Sequence, residues 1–211
     1  MSNSSNPPAL LVGLILCIYW GRVVRLLFKA RTAGRSANFI PRERVGRLVR
    51  LVWIPIVLLW ITLPLIQGVG GARHEPLLMP LFSLGSLAWL AVIVAFAALV
   101  LTLICWKEMG KSWRIGINPE EKTQLIATGP YAHVRHPVYA LSSLLMLTSV
   151  AVDSSPLMIA VALLHLALLQ FEARREEIYL LKTHGAVYQN YWRRVGGFFP
   201  RLARTEAVKR T

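Results

Sequence analysis

Charged residues are missing from long stretches of this chain and crowded into the stretches between them. Met1 to Gly21 carries no charge, and Leu10 to Trp20 is almost wholly apolar. Ser2 to Asn6 lacks the positive n-region of a signal peptide, and Arg22, Arg25 and Lys29 follow the apolar run rather than precede it. The pattern predicts a first spanning helix whose arginines snorkel to headgroups. Leu51 to Ala72 is a second uncharged run, of 22 residues, against the roughly 20 a spanning helix needs. Pro55 and Pro64 inside it predict kinks. Pro76 to Trp106 is uncharged over 31 residues. At about 1.5 Å per residue that exceeds a hydrocarbon core of about 30 Å, which predicts a tilt or a start after Pro80. Pro137 to Val152 and Ser154 to Phe171 are uncharged over 16 and 18 residues, joined at Asp153-Ser154-Ser155-Pro156. That joint is a turn by composition, and the pair is either a spanning or a re-entrant hairpin.

These runs predict an all-α integral membrane protein with about five transmembrane helices, folded as one membrane-embedded domain over residues 1–211. The N-terminal spanning helices occupy 9–105, and 202–211 is a basic tail. Composition agrees: 55% of the 211 residues are hydrophobic and 16% charged, against about 25% charged in soluble domains. The formal charge of +14 is not a nucleic-acid signature, because the charge is confined to loops. Nine basic residues lie in Arg22 to Arg50, five in Trp106 to Arg135 and nine in Glu172 to Thr211, out of 24. Lys and Arg accumulate in cytoplasmic loops, so five spans place the N-terminus outside and the C-terminus in the cytoplasm, with Lys182, Arg193 and Arg194 against anionic headgroups. Cys17 and Cys105 both fall in apolar runs, which predicts core packing and argues against a disulfide framework or a zinc cluster.

The loop Trp113 to Tyr139 is denser in chemistry than a simple connection requires. Gly129-Pro130-Tyr131 is a turn ending in an aromatic, and Arg135-His136-Pro137 leads into the fourth apolar run. Proline suits the first helical position, and the free N–H groups of that helix start make an anion site beside Arg135 and His136. At the end of the last run, Glu172, Glu176 and Tyr179 are spaced i, i+4, i+7, on one helical face. Ionisable groups so near the bilayer point to a functional interior face. His133 reads as a solvated loop residue and His165 as a packed or interfacial one.

Leu125-Ile126-Ala127-Thr128-Gly129-Pro130-Tyr131, then Arg135-His136-Pro137-Val138-Tyr139-Ala140, with Glu176-Glu177 downstream, resembles the isoprenylcysteine carboxyl methyltransferase family and its phospholipid methyltransferase relatives. His184-Gly185, Tyr188, Tyr191, Val195 and Pro200 look like that family's C-terminus, and Trp113-Arg114-x-Gly116 resembles its bacterial branch. The resemblance runs from about Trp113 to Arg201 and implies a catalytic, cofactor-binding region over 106–201, in a bacterial inner membrane. Ala140 stands where the eukaryotic pattern has glycine, and Arg174 and Arg175 are offset from that pattern's arginine before the acidic pair.

The family resemblance implies methyl transfer from S-adenosylmethionine to a lipophilic acceptor, either a prenylcysteine-like carboxylate or another small lipophile bearing an amine, thiol or hydroxyl. On this reading His136, Tyr139 and the helix start hold the cofactor's carboxylate and Glu176 its ammonium group. Gln124, Leu125 and Tyr131 line the adenosine pocket, with a Tyr131 cation–π contact to the sulfonium. Arg135, Arg174 or Arg175, with Glu177, serve the acceptor. Two other classes remain open from sequence: an NADPH-dependent membrane reductase of the steroid-reductase type, and a non-enzymatic transporter or assembly factor.

Overall fold

The computed structural model describes residues 5–34, 37–41, 43–71, 75–116 and 125–201, and all the regular elements among them are helical. Helix α1 (Pro7–Thr32) starts where Asn6 Oδ1 accepts from the Ala9 N–H at 3.3 Å, with prolines in its first turn. It continues well past the first apolar run and carries Arg22, Arg25, Lys29 and Arg31 on its extension. Helix α2 (Arg44–Gly68) starts before its apolar run and passes unbroken through Pro55 and Pro64. The third run does start late: a short 3-10 turn, Gly85–Leu87, precedes helix α3 (Ala88–Met109). Helices α4 (Pro137–Val152), α5 (Pro156–His184) and α6 (Ala186–Arg194) complete the chain.

Four helices, α1, α2, α3 with its flanking turns, and α5, are long and apolar enough to cross a membrane, while α4 is the shorter fifth apolar helix. The ends of the bundle settle what α4 does. Asn6 donates its backbone N–H to Gly68 O and its Nδ2 to Val152 O, both at 3.0 Å. The start of α1 and the ends of α2 and α4 are therefore tied together, far from the Arg135–Glu177 pair at the other end of α4 and α5. Residues 75–84 close over this end, with Leu81 N donating to Ser154 O and Leu157 N to Leu77 O. The α4–α5 turn thus lies level with its neighbours' ends, and α4 traverses the bundle.

Close backbone approach holds α1 to α2. A Cβ on Gly68 would sit 2.6 Å from the Leu10 backbone, and one on Gly13 would sit 2.5 Å from Leu65 Cδ2. Small residues permit such contacts between helices in lipid, where dispersion rather than water exclusion drives association. Several polar groups inside the bundle are paired with one another. Trp53 Nε1 donates to His165 Nδ1 at 3.3 Å, His165 Nε2 lies 3.1 Å from Ser142 Oγ, and Trp60 Nε1 donates to Ser149 Oγ at 2.8 Å. His165 is therefore a packed histidine. The outward faces are apolar, with Leu51, Ile93, Phe96 and Leu163 exposed. An apolar exterior of that extent requires lipid, which makes this an integral membrane protein. Cys105 is buried as expected, but Cys17 faces outward, because the inward face of α1 is filled by Val12, Leu16, Tyr19 and Val23.

Gly68→Ala must push the α1 backbone away and is expected to cost about 1–3 kcal/mol. Gly21→Ala, where a Cβ meets nothing within 4 Å, is the matched control. Thermal unfolding of the two variants in detergent should show a clear drop for the first and no drop for the second.

Candidate active site

The part of α5 beyond Phe171 leaves the apolar zone as a polar helix extension, and the candidate site is assembled around it. Gly185, at φ +53°, ends the helix and turns the chain into α6. The extended segment that follows then pairs with the loop before α4: Arg135 N donates to Gly196 O at 2.8 Å and His136 N to Gly197 O at 3.0 Å. Gly196 is obligatory there, since a Cβ would overlap Phe199 O. The Tyr191 hydroxyl, on α6, donates to Tyr131 O at 2.6 Å.

Glu177 is the hub of this assembly. Its Oε1 accepts from Arg135 Nε at 2.9 Å and Nη2 at 2.7 Å, and lies 3.1 Å from His136 Nε2. Arg135 also donates to the Trp192 and Val195 carbonyls and lies over the Trp192 ring. Burial pushes the Glu177 carboxyl up. The hydrogen bonds from His136 and Arg135, with their charge, outweigh burial and hold it at about 2. The His136 Nδ1 lies 3.8 Å from Glu176 Oε2, and its ring stacks on Tyr139 with centroids 5.5 Å apart.

One cavity adjoins this hub, and a second adjoins the first. The first, about 870 Å³ of non-protein space including its mouth, is lined by Leu125, Tyr131, Arg135, His136, Tyr139 and Glu176 among others. Six of the ten residues expected at the site therefore line one cleft. Tyr188 forms part of its wall, with a buried hydroxyl that has no hydrogen-bond partner. Burial raises the Tyr131 and Tyr188 phenols well above their ordinary value and Tyr191 to about 12, so all three are hydrogen-bond donors at neutral pH. The second cavity, about 900 Å³ of non-protein space including its mouth, lies among α1, α2, α4 and α5 and contains Arg175 and Glu172. Trp106, Trp113, Arg114, Gly116, Val138 and Tyr139 line both cavities and form the partition between them.

The i, i+4 face of α5 thus supplies one carboxylate to each compartment, Glu176 to the first and Glu172 to the second. Arg175 is held by Glu172 and by Glu43 Oε2, the latter at 2.7 Å. Arg174 is exposed and lines neither cavity, and Gln124 lies outside the described residues. Sequence reasoning passed over the second cavity's N-terminal lining, Tyr19, Trp20, Glu43, Arg50 and Trp53. Arg50 looked like one more topogenic charge, and nothing in the spacing marked the aromatics as a wall. Among the described residues, no group of three or more His, Cys, Asp or Glu side chains is placed to hold a metal ion.

Residues 89–182 match the model of the isoprenylcysteine carboxyl methyltransferase (ICMT) family, which bears out the resemblance read from the Arg135-His136-Pro137 motif. The chain is also similar to the cobalt-zinc-cadmium resistance protein CzcN of Cupriavidus metallidurans, 29% identical over 79% of this chain and 68% of that one. It is 32% identical to the nickel-cobalt-cadmium resistance protein NccN of Alcaligenes xylosoxydans xylosoxydans, over 45% of each chain. The chain therefore spans less than half the length of the second relative.

Glu177→Gln should lower stability by about 2 kcal/mol at neutral pH, the scale of hydrogen bonds to a charged group. A carboxylate depressed in the folded state adds stability that is complete above the unfolded pKa, roughly 4.3, and fades as pH falls towards 2. Melting curves of wild type and variant should stay apart from neutral pH down to about pH 5 and converge below it.

Proposed function

We propose that this membrane protein, with its ICMT-family segment 89–182, is an S-adenosylmethionine-dependent methyltransferase acting on a lipophilic acceptor at the cytoplasmic face of a bacterial inner membrane. One observation carries this reading: two cavities, one holding Arg135, His136 and Glu176 and the other Tyr19, Trp20, Trp53 and Leu168 of the spanning helices, share a single wall. Transfer of a methyl group between a water-soluble donor and a membrane-soluble acceptor needs two sites that meet at one point.

The first cavity suits the donor. The α4 start offers the N–H groups of Val138 and Tyr139 for a carboxylate. Glu176 faces an ammonium group, and the unpartnered Tyr188 hydroxyl offers a further donor. Tyr131, with Leu125, supplies the apolar and aromatic surface an adenosine ring needs. S-adenosylmethionine brings an activated methyl on a sulfonium, so the protein's work is alignment and exclusion of water. In this scheme His136 and Arg135 are committed to Glu177, and they shape the cleft by holding the C-terminal segment against the α4 start. The second cavity suits the acceptor: Tyr19, Trp20, Trp53 and Leu168 accommodate an apolar body, and Arg50 and Glu172 reach toward Gly116 in the partition.

S-adenosylhomocysteine should raise the melting temperature of the purified protein, since a ligand of the native state stabilises it. NADPH should not, and a shift with NADPH alone would sink the reading. Glu176→Gln should weaken S-adenosylhomocysteine about tenfold by calorimetry, or 1.4 kcal/mol, whereas Arg174→Gln should leave it unchanged. A labelled-methyl assay on lipid extracts then identifies the acceptor.

A further inference from the structure

Arg50 lies outside the segment 89–182 that the family model matches, at the basic end of α2, yet it lines the second cavity. That cavity is bordered by three cations, Arg50, Arg114 and Arg175, and by two anions, Glu43 and Glu172. Arg175 is engaged by both carboxylates. Arg50 is seated over the Trp53 ring, its guanidinium carbon 5.0 Å from the centroid, and its buried Nε has no hydrogen-bond acceptor. Its Nη2 points toward the partition. A Cβ built on Gly116 would lie 3.9 Å from Arg50 Nη2, 3.9 Å from Asn38 Nδ2 and 3.5 Å from Glu172 Oε2. The Arg50 guanidinium and the Glu172 carboxylate thus both reach the wall the two cavities share, where Asn38 Nδ2 is already bonded to Ile115 O, and the lining as a whole keeps one positive charge in excess.

We propose that Arg50 determines acceptor specificity by taking the anionic head of an amphiphile whose apolar body lies among Tyr19, Trp20 and Trp53. The proposal rests on reading the second cavity as the acceptor site. An anionic head oxygen needs no base: as it forms its bond to the methyl carbon, the carbon–sulfur bond breaks and its electron pair returns to sulfur. The head's negative charge disappears in that step, so the methylated product loses its attraction to Arg50 and is free to leave.

The test uses two probes, 12-bromododecanoate and 12-bromododecanamide, which differ in head charge and quench the tryptophans lining the cavity. In detergent at pH 8, saturable quenching of wild type should favour the carboxylate about tenfold, and equal affinities would overturn the proposal without any variant. Arg50→Gln should reduce the preference to less than threefold, and Arg50→Lys should retain part of it. A tenfold preference surviving in Arg50→Gln would likewise refute it. The melting shift with S-adenosylhomocysteine is measured on the same samples. If wild type lacks that shift while the Arg50-dependent preference stands, the cofactor reading fails and the specificity assignment survives.

Discussion

Three segments far apart in the chain meet on one carboxylate. Glu177 Oε1 binds the Arg135 guanidinium through two nitrogens and lies against His136, and Arg135 in turn holds the carbonyls of Trp192 and Val195. A charge removed from water costs several kcal/mol unless it is paired and hydrogen-bonded, so none of these groups is stable in its place without the others. The consequence is geometric. The α4 start, the polar extension of α5 and the segment after α6 are fixed relative to one another, and the first cavity is the space they leave.

The partition between the cavities follows from the same arrangement. Tyr139 and Val138 lie in the first turn of α4, directly after the paired Arg135 and His136, so the clamp also sets their position. The other side of the partition comes from residues 113–116, which are tied to the first interhelical loop. Ile115 N donates to Ala37 O at 3.0 Å, and Asn38 Nδ2 donates to Ile115 O at 3.1 Å. Asn38 and Gly116 both have positive φ, 53° and 69°, a region that asparagine and glycine tolerate better than other residues. The two halves of the chain, spanning helices and motif region, are thereby joined at the wall the two cavities share.

Deeper in the bundle the constraint is different. Water is not available to satisfy a stray donor in lipid, and the His165–Ser142–Trp53 chain and the Trp60–Ser149 bond meet that demand with side chains from α2, α4 and α5. These bonds, with the glycine contacts of α1 and α2, align the helices whose basic-end halves enclose the second cavity. The α5 helix belongs to both regimes. Its apolar part packs in the bundle, and one turn apart on its polar part Glu172 and Glu176 serve different compartments.

What the sequence by itself determined is everything that depends on local order along the chain. The apolar runs marked the four helices long enough to cross a membrane and the shorter α4, since crossing hydrocarbon demands uninterrupted apolar length. The Arg135-His136-Pro137 helix start and the i, i+4 spacing of Glu172 and Glu176 were equally legible, because capping and helical periodicity act over a few residues. Only the tertiary structure decided how those pieces divide the work. Arg135 is drawn to Glu177 rather than to the second cavity, Arg174 faces outward while its neighbour Arg175 bridges α5 to Glu43, and Arg50 enters a cavity that no motif announced. The reason is that the partner of a long charged side chain is chosen by which desolvated groups packing brings within reach, and those groups lie 42 residues away for Arg135 and 132 for Arg175. Spacing along one helix carries no record of such distances.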